Sequence, residues 1–390
     1  MAVLSPEVKL EGRSRGDEAT TLPRGPAQAV QQRTTRPVMA WAPVGTLIVA
    51  FEAYVIVRWV TGPYFMQVKP GPTPVPTFMK VTLLFFQVVM IPIALVLFYA
   101  FVIRPFRRER RVGVNGVLFL GLCSLWFQDP AGNYGGSEVV YNSSMFNRGS
   151  WVADIPGWGS FAKPGAMLME PLAFTPAAYP VIFMLVAFLG AYVMRKAHTR
   201  FPAMGKLGLI GVCFGTMFVF DLLLELVLWL PLGIFEYPGG HWGIFGDTYH
   251  KYPIHEGLTI GATFTVTACI KYFIDDRGHS PVERGIETVK GKGGKQLVIR
   301  VMAVTAALQV GMLVTYTIPC IWVGQHSTAW PADLQKRSYF TDGICGDGTD
   351  RACPAPNVPI NTRSSINVTP GGGSVNNTGT TVPGIIPFAR

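Results

Sequence analysis

The chain has few charged residues and lacks the common motifs of soluble enzymes. Charged side chains make up 14% of the 390 residues and hydrophobic side chains 49%, whereas roughly a quarter of an average soluble domain is charged. No glycine-rich phosphate loop, nucleophile elbow, haem-attachment sequence or Cys-x-x-Cys zinc spacing is present. These absences argue against nucleotide, haem and zinc-finger chemistry, and the low charge indicates that much of the surface avoids water.

Long apolar runs recur along the sequence, and several reach the roughly 20 residues that cross a bilayer. The first run begins at Met39 and is too long for the apolar region of a cleaved signal peptide. The sequence therefore predicts an all-α, polytopic transmembrane bundle of about seven helices. The predicted spans are 39–61, 81–103, 112–127, 177–194, 207–232, 254–273 and 297–323.

The distribution of Lys and Arg predicts how the bundle is oriented. The connections after the second, fourth and sixth spans hold 15 of these residues, and the intervening connections hold five. Because positive charges stay on the cytoplasmic side, the N-terminus is predicted in the cytoplasm and the C-terminus outside a cell membrane. The basic residues flank the spans, so membrane lipids, and not nucleic acid, are the predicted partners of the +10 charge.

Three regions follow from composition. Residues 1–38 are predicted to form a disordered cytoplasmic tail, 39–340 the membrane domain, and 341–390 an outer polar tail of low complexity in which Cys345 and Cys353 are candidates for a disulfide. The outer segment 129–176 is rich in aromatic residues, which favour burial or a membrane interface, so we expect it to fold over the bundle as a cap. Its aromatic residues include Tyr134, Tyr141, Phe146, Trp151, Trp158 and Phe161.

Acidic residues inside a span are costly, and the fifth span contains two of them. Asp221 and Glu225 are four residues apart and therefore share one helix face in the outer half of the span. Two neighbouring carboxylates repel each other when both are ionised, so one of them should keep its proton near neutral pH. This arrangement suits general acid catalysis. A structural network with His255 or Arg58 is the alternative.

Other polar residues are predicted to meet the acid pair in one outward-facing pocket. His255 and Glu256 begin the sixth span on the outer side, and with Asp221 and Glu225 they are the candidate catalytic residues, although an acidic residue also suits a helix start for dipole reasons. Glu52 and Arg58 either contribute to this pocket or pair with other helices. The candidate substrate-binding residues are Glu52, Arg58, Asp129, Tyr141, Trp151, Trp158, His241 and Trp242.

Histidine is scarce, which weighs against a metal centre. The chain has six, and His198 and His279 are predicted on the cytoplasmic side. Of the other four, His241, His250 and His255 are the sensible nitrogen ligands. We therefore predict neither a metal nor another cofactor, with a site built from these three histidines as the alternative.

A buried acid pair beneath aromatic residues suits proton-driven rearrangement of an apolar substrate, such as cyclisation, dehydration or isomerisation. Aromatic faces would stabilise a transient cation. The alternative is a non-catalytic membrane protein that binds or transports a lipid or hydrophobic metabolite through the same pocket.

Several unusual strings of residues occur along the chain. They are Phe127-Gln128-Asp129-Pro130, Tyr141-Asn142, Phe146-Asn147-Arg148-Gly149-Ser150-Trp151-Val152, Asp154-Ile155-Pro156-Gly157-Trp158, Tyr237-Pro238-Gly239-Gly240-His241-Trp242, Arg277-Gly278, Val282-Glu283-Arg284-Gly285, Trp330-Pro331-Ala332-Asp333 and Gln335-Lys336-Arg337-Ser338-Tyr339-Phe340. With these strings the sequence resembles the AveC-like spirocyclase family of actinobacterial membrane proteins. The resemblance extends over roughly residues 40–355 and leaves out the two polar tails.

The resemblance implies formation of a spiroketal from a dihydroxy-ketone polyketide, with dehydration of the product in some members. Closure of a spiroketal needs protonation of a hemiketal oxygen, loss of water through an oxocarbenium ion, and attack by a second hydroxyl. The acid-catalysis hypothesis drawn from the residues agrees with this reaction. No catalytic residue is carried over from the family, so the candidate sites rest on the residues themselves.

Overall fold

The computed structural model describes residues 36–136, 138–158, 168–291, 293–341, 344–346, 352–356, 358, 366–368 and 373–376. Nearly all of the predicted tail 1–38, much of 341–390, and Phe161 lie outside the described residues. The described part of the chain is mostly helical. Its α-helices are α1 (Pro37–Thr61), α2 (Thr77–Phe98), α3 (Arg104–Glu109), α4 (Val114–Leu122), α5 (Asp129–Tyr134), α6 (Thr175–Arg200), α7 (Lys206–Leu224), α8 (Ile254–Tyr272), α9 (Gly293–Met312), α10 (Ile318–Gln325), α11 (Ala332–Gln335) and α12 (Ser338–Thr341).

Short segments of tighter or wider helix connect several of these elements. The π-helical segments Tyr99–Ile103, Glu225–Trp229 and Leu313–Thr317 extend α2 into α3, lengthen α7, and join α9 to α10. The 3₁₀ segments are Leu125–Gln128, Trp151–Asp154 and Ile286–Thr288. A π-helical turn inserts one residue into the helical register, and such turns are frequent at functional sites.

Five helical stretches among the described residues are long and apolar enough to cross a membrane, and they lie at five of the seven predicted spans. The stretches are Pro37–Thr61, Thr77–Glu109, Thr175–Arg200, Lys206–Trp229 and Gly293–Gln325. The prediction of a mostly helical chain with several helices able to span a membrane is therefore confirmed. The other two predicted spans correspond to α4, which has nine residues, and to the 19-residue α8, which carries His255, Glu256 and Lys271. A count of seven crossings stays a prediction.

Two kinds of helix surface explain how these stretches are arranged. Along α2, apolar side chains such as Leu84 and Val88 are exposed, and in a bilayer lipid tails would cover them. Between α1 and α9 the backbones approach so closely that a Cβ at Gly45 would overlap the main-chain carbonyl of Met302. Small residues at a helix interface permit this close approach, and the resulting van der Waals packing stabilises helix pairs in lipid, where a hydrophobic driving force is missing.

The connections between helices pack onto one another through short strands and side-chain hydrogen bonds. In the described part of the chain, two antiparallel strand pairs lie in these connections, β1 (Val140–Tyr141) with β2 (Phe235–Glu236) and β3 (Gly243–Ile244) with β4 (Tyr252–Pro253). A third pair, β5 (Ile366–Val368) with β6 (Ser374–Asn376), follows the last helix. Ser143 donates hydrogen bonds from its backbone and hydroxyl to the carbonyl oxygen of Tyr339, both at 2.8 Å. This contact ties the segment that follows α10 to the loop around β1.

The described part of segment 129–176 is packed. Tyr134, Tyr141 and Trp151 are at most 5% exposed, and the Trp151 indole N–H donates to the carbonyl oxygen of Phe127 at 3.0 Å. Cys345 and Cys353 form a disulfide and lie in the same apolar cluster as Tyr134 and Tyr141. That the segment lies on the outer side as a cap stays a prediction.

Candidate active site

A cavity of about 70 Å³ lies where α5, α6, α7 and α8 meet the loops that carry β1 and β2. Among the described residues that line it there is no Lys, Arg or His. Its lining includes the carboxyl groups of Asp129, Asp221, Glu225 and Glu256, the tyrosines Tyr141, Tyr179, Tyr237 and Tyr316, and the apolar aromatic residues Phe174, Phe183, Trp229, Phe235 and Phe264. Four acids therefore share a small space with aromatic rings and no described cation.

Asp221 and Glu225 lie one helical turn apart at the point where α7 becomes π-helical. The Tyr252 hydroxyl donates to Asp221 Oδ2 at 3.0 Å, and the Tyr237 hydroxyl donates to Glu225 Oε1 at 3.1 Å. The second oxygen of Glu225 is buried and has no hydrogen-bond partner among the described residues. The structure thus places both predicted acids on the cavity wall, each with a tyrosine beside it and Glu225 with one oxygen unsatisfied.

Glu256 and His255 lie in the first turn of α8, and of the two only Glu256 lines the cavity. Glu256 lines the cavity, is 1% exposed, and has no hydrogen-bond partner for either carboxyl oxygen in the described part of the chain. His255 does not line the cavity; its Nε2 atom lies 2.7 Å from Oε1 of the fully buried Glu138. Consecutive side chains on a helix are rotated by about 100°, so Glu256 reaches the cavity while the adjacent His255 contacts Glu138 beside it.

Asp129 lies in the first turn of α5 and also lines the cavity. Its Oδ1 atom accepts a hydrogen bond from the Tyr179 hydroxyl at 2.6 Å, and its Oδ2 atom accepts one from the Asn133 amide at 2.7 Å. Burial raises the pKa of Asp129, and burial together with the charge of Asp129 raises the pKa of Glu170 well above its usual value. Two adjacent buried carboxyl groups cannot both ionise cheaply, which is the physical reason why both pKa shifts are upward.

Glu52 and Arg58 lie outside this cavity. Glu52 accepts a hydrogen bond from the Gln309 amide at 2.6 Å, and Gln309 also bonds to Gln128, so Glu52 belongs to a polar network between α1 and α9. Arg58 has a half-exposed side chain, 3.9 Å from Asp154. These contacts correspond to the packing alternative for the two residues, and a role in substrate binding stays a prediction.

The aromatic residues predicted to bind substrate are dispersed, apart from Tyr141, which lines the cavity. Trp151 is buried against Trp59 and Phe127. Trp158 is partly buried beside the apolar cluster around β1, and Trp242 is 77% exposed. The His241 Nε2 atom lies 2.6 Å from the carbonyl oxygen of His326. The structure does not bring these four residues into the cavity lining.

Sequence reasoning missed several groups that lie in or beside the site. Glu138 and Glu170 come from the segment between α5 and α6, and Tyr179 comes from α6. Tyr237 was present in one of the unusual strings but was not singled out. The lining tyrosines carried no distinctive signal, because tyrosine is also common at membrane interfaces.

One group of side chains in the described part of the chain has the spacing of metal ligands. Glu138, His255 and Glu256 each offer an atom within 4.8 Å of the others. His241 and His250, the other nitrogen ligands considered from the sequence, are not members of this group.

The family comparison agrees with the resemblance seen in the sequence. The family model described as spirocyclase AveC-like matches residues 109–340, which is more than half of the chain. The match includes α5, α6, α7 and α8 and therefore all the acids of the cavity. No curated protein and no solved structure matches significantly. The chain belongs to the AveC-like spirocyclase family.

Proposed function

We propose that this member of the AveC-like spirocyclase family is a membrane-embedded enzyme that closes a spiroketal by acid catalysis on a lipophilic, polyketide-type substrate. The observation that carries the proposal is the convergence of Asp221, Glu225 and Glu256 with aromatic rings in one cavity. Family membership supports a cyclase, and the apolar helices support a lipophilic substrate that reaches the site from the membrane.

The proposed reaction transfers one proton from the enzyme, releases one water molecule and returns one proton to the enzyme. The protonated carboxyl group of Glu225 donates to the hydroxyl of a hemiketal, and the carbon–oxygen bond breaks to release water and an oxocarbenium ion. A second substrate hydroxyl then attacks that carbon, and its proton returns to the carboxyl pair of Glu225 and Asp221. The net change is loss of one water from the hemiketal. The acids are regenerated, so no reductant, oxidant or nucleotide is consumed.

The surroundings of the acids suit a positively charged intermediate. Carboxylate oxygens of Asp221 and Glu256 are buried near it, and Tyr316, Trp229 and Phe264 present aromatic surfaces to the same cavity. A cation is attracted to the face of an aromatic ring, and the attraction grows when water is excluded. The same proton transfer to a product hydroxyl, followed by loss of a neighbouring proton, would dehydrate the product.

The size of the cavity sets a condition on binding. An engineered protein cavity of about 150 Å³ binds benzene, whereas this cavity measures about 70 Å³. A spiroketal core is larger than benzene, so we expect side chains of the lining to move when substrate binds. The π-helical turn at Glu225–Trp229 is a candidate for that movement, since its register differs from the helix before it.

The test is conversion by purified protein in detergent, without any ion gradient. A dihydroxy-ketone is incubated with the protein and the loss of one water is followed by mass spectrometry. We expect wild type to convert it and Glu225→Gln to be slower by about 10²–10⁴-fold, the usual contribution of a general acid. The matched control is Glu236→Gln, since Glu236 is equally buried but does not line the cavity.

Two outcomes would contradict the proposal. Binding of the ketone without conversion by the wild type would favour the alternative, a membrane protein that binds or transports a hydrophobic metabolite. Equal rates for wild type and Glu225→Gln would show that Glu225 is not the general acid. Substrate binding within roughly tenfold of wild type, with retained folding, separates a catalytic loss from a structural one.

A further inference from the structure

We propose that Glu138, His255 and Glu256 form a binding site for one divalent transition-metal ion, such as Zn²⁺ or Mn²⁺. The site goes beyond the proposed function, which uses no metal. Two adjacent residues in the first turn of α8 and one residue from the loop before β1 supply the ligands. The site borders the cavity through Glu256 alone.

The geometry is close to that of a metal site. The candidate ligand atoms all lie within 4.8 Å of one another, and His255 Nε2 is 2.7 Å from Glu138 Oε1. In a tetrahedral zinc site with bonds of about 2.1 Å, the ligand atoms are roughly 3.4 Å apart. Small rotations of three side chains would therefore accommodate an ion. The ion would take the place of the proton that His255 and Glu138 share.

The burial of unsatisfied oxygens indicates that this cluster needs a ligand. Glu138 is 0% exposed and Glu256 1% exposed. Within the described residues, Glu138 Oε2 and both carboxyl oxygens of Glu256 have no hydrogen-bond partner. The Tyr237 hydroxyl donates to Glu225 Oε1 at 3.1 Å and also interacts with Glu256, so it is shared between the two acids. A His255–Glu138 pair acting alone would leave three buried carboxyl oxygens unsatisfied, and buried polar atoms are normally paired.

The nearest cationic side chain in the described surroundings does not fill this role. Lys251 is 5% exposed and close enough to Glu138 for their charges to interact. Its Nζ atom, however, donates to the Thr328 hydroxyl at 3.0 Å and to the carbonyl oxygen of Pro238 at 3.4 Å. The ammonium group is therefore directed at neutral oxygens, and the carboxyl groups of Glu138 and Glu256 stay available to an ion.

The ligand types select the class of ion. One imidazole nitrogen and two carboxylates suit Zn²⁺, Mn²⁺ or Fe²⁺, because Mg²⁺ and Ca²⁺ prefer oxygen ligands throughout. Both side chains of the Glu138–His255 pair are held by the fold before an ion binds, which lowers the cost of assembling the site. We expect Zn²⁺ to bind more tightly than Mn²⁺, in the usual order of affinities.

The experiment measures metal binding to the full-length protein without substrate. Protein in detergent is treated with a chelator, desalted and titrated with Zn²⁺ or Mn²⁺, and bound metal is determined by elemental mass spectrometry. We expect about one ion per chain in the wild type. Glu256→Gln and Glu138→Gln should each weaken binding by more than tenfold, and Glu236→Gln should bind as the wild type does, because Glu236 is a buried acid outside the cluster.

A second measurement guards against variants that fold poorly. Bound metal should raise the melting temperature of the wild type and of Glu236→Gln, whereas Glu256→Gln, Glu138→Gln and His255→Asn should melt at the same temperature with and without Zn²⁺. Binding well below one ion per chain in folded wild type would overturn the proposal, as would unchanged affinity in all three cluster variants. Because no turnover is measured, these results are independent of whether the protein proves to be a cyclase.

Discussion

Replacement of Tyr237 by Phe tests the acid assignment without altering an acid. The Tyr237 hydroxyl donates to Glu225 Oε1 at 3.1 Å and is itself buried, so the substitution removes one hydrogen bond and keeps the ring in place. That bond strengthens when Glu225 gives up its proton, because a hydrogen bond to a charged acceptor contributes about 1.5–3 kcal/mol and a neutral one about 0.5–1.5 kcal/mol. Only the increase of about 1–1.5 kcal/mol lowers the barrier, so the expected loss of turnover is roughly 5- to 13-fold.

A double-mutant cycle shows whether this loss acts through Glu225. In the Glu225→Gln background the group next to Tyr237 no longer transfers a proton, so Tyr237→Phe should lower the rate by no more than about twofold. Tyr249→Phe is the matched control, since the Tyr249 hydroxyl donates to the carbonyl oxygen of Pro231 and the residue does not line the cavity.

The assay is the initial rate of ketone consumption by each variant in detergent, with the substrate affinity measured separately. A Tyr237→Phe variant as fast as wild type would refute the reasoning, because Glu225 would not be developing charge in the slow step. Losses that multiply in the double variant would also refute it, since Tyr237 and Glu225 would then act independently.

Three further predictions concern topology, stability and packing. A reporter fused after Arg337 should be active only outside the cell, and one inserted in Arg104–Arg111 only in the cytoplasm; the reverse pattern would overturn the orientation. Burial raises the pKa of Glu236 well above 4.5, so the folded state holds that proton more tightly than the unfolded state and stability falls as pH rises. In scanning fluorimetry, Glu236→Gln should therefore melt at a higher temperature than wild type at pH 8, and this difference in melting temperature should shrink toward pH 4.5. The same difference in melting temperature at both pH values would contradict the prediction. Gly45→Val should reduce the yield of folded protein in size-exclusion chromatography, because α1 and α9 must separate to make room for the side chain. Gly211→Ala should not, since no described atom lies within 4 Å of the added Cβ. Equal yields for the two variants would contradict the close approach of α1 and α9.

The membrane helices were predictable because lipid imposes a strong constraint on sequence. A chain that crosses a bilayer must satisfy its backbone polar groups internally and remain apolar over about 20 residues. The runs that became α1, α6 and α7 met that condition, and their starts were placed within two residues of the observed ones. The predicted ends of α6 and α7 were less accurate, since α6 continues to Arg200 instead of 194 and α7 ends at Leu224 instead of 232. The second span was predicted at 81–103, whereas the observed helical stretch runs from Thr77 to Glu109. The predicted end is too early because the basic residues beyond Ile103 interrupt the apolar pattern without interrupting the helix.

Whether an acid of the site could be predicted from the sequence depends on the element that carries it. Asp221 and Glu225 were found because a carboxyl group inside an apolar run is expensive and therefore noticeable. Glu138 and Glu170 lie in a loop, where an acidic residue is ordinary and a sequence gives no reason to expect burial. Their burial depends on how that loop packs, which involves residues far apart along the chain.

The tyrosines that contact the acids show why convergence itself was only partly predictable. Tyr252 precedes α8 and donates to Asp221 on α7, and Tyr179 on α6 donates to Asp129 on α5. Each pair joins two elements whose relative rotation is set by helix packing, and hydropathy carries no information about rotation. The sequence could therefore indicate that several acids occur at similar depth in the predicted spans. Only the packed structure shows which of these acids share a cavity and which, like Glu52, accept a hydrogen bond from a neighbouring helix, here from Gln309.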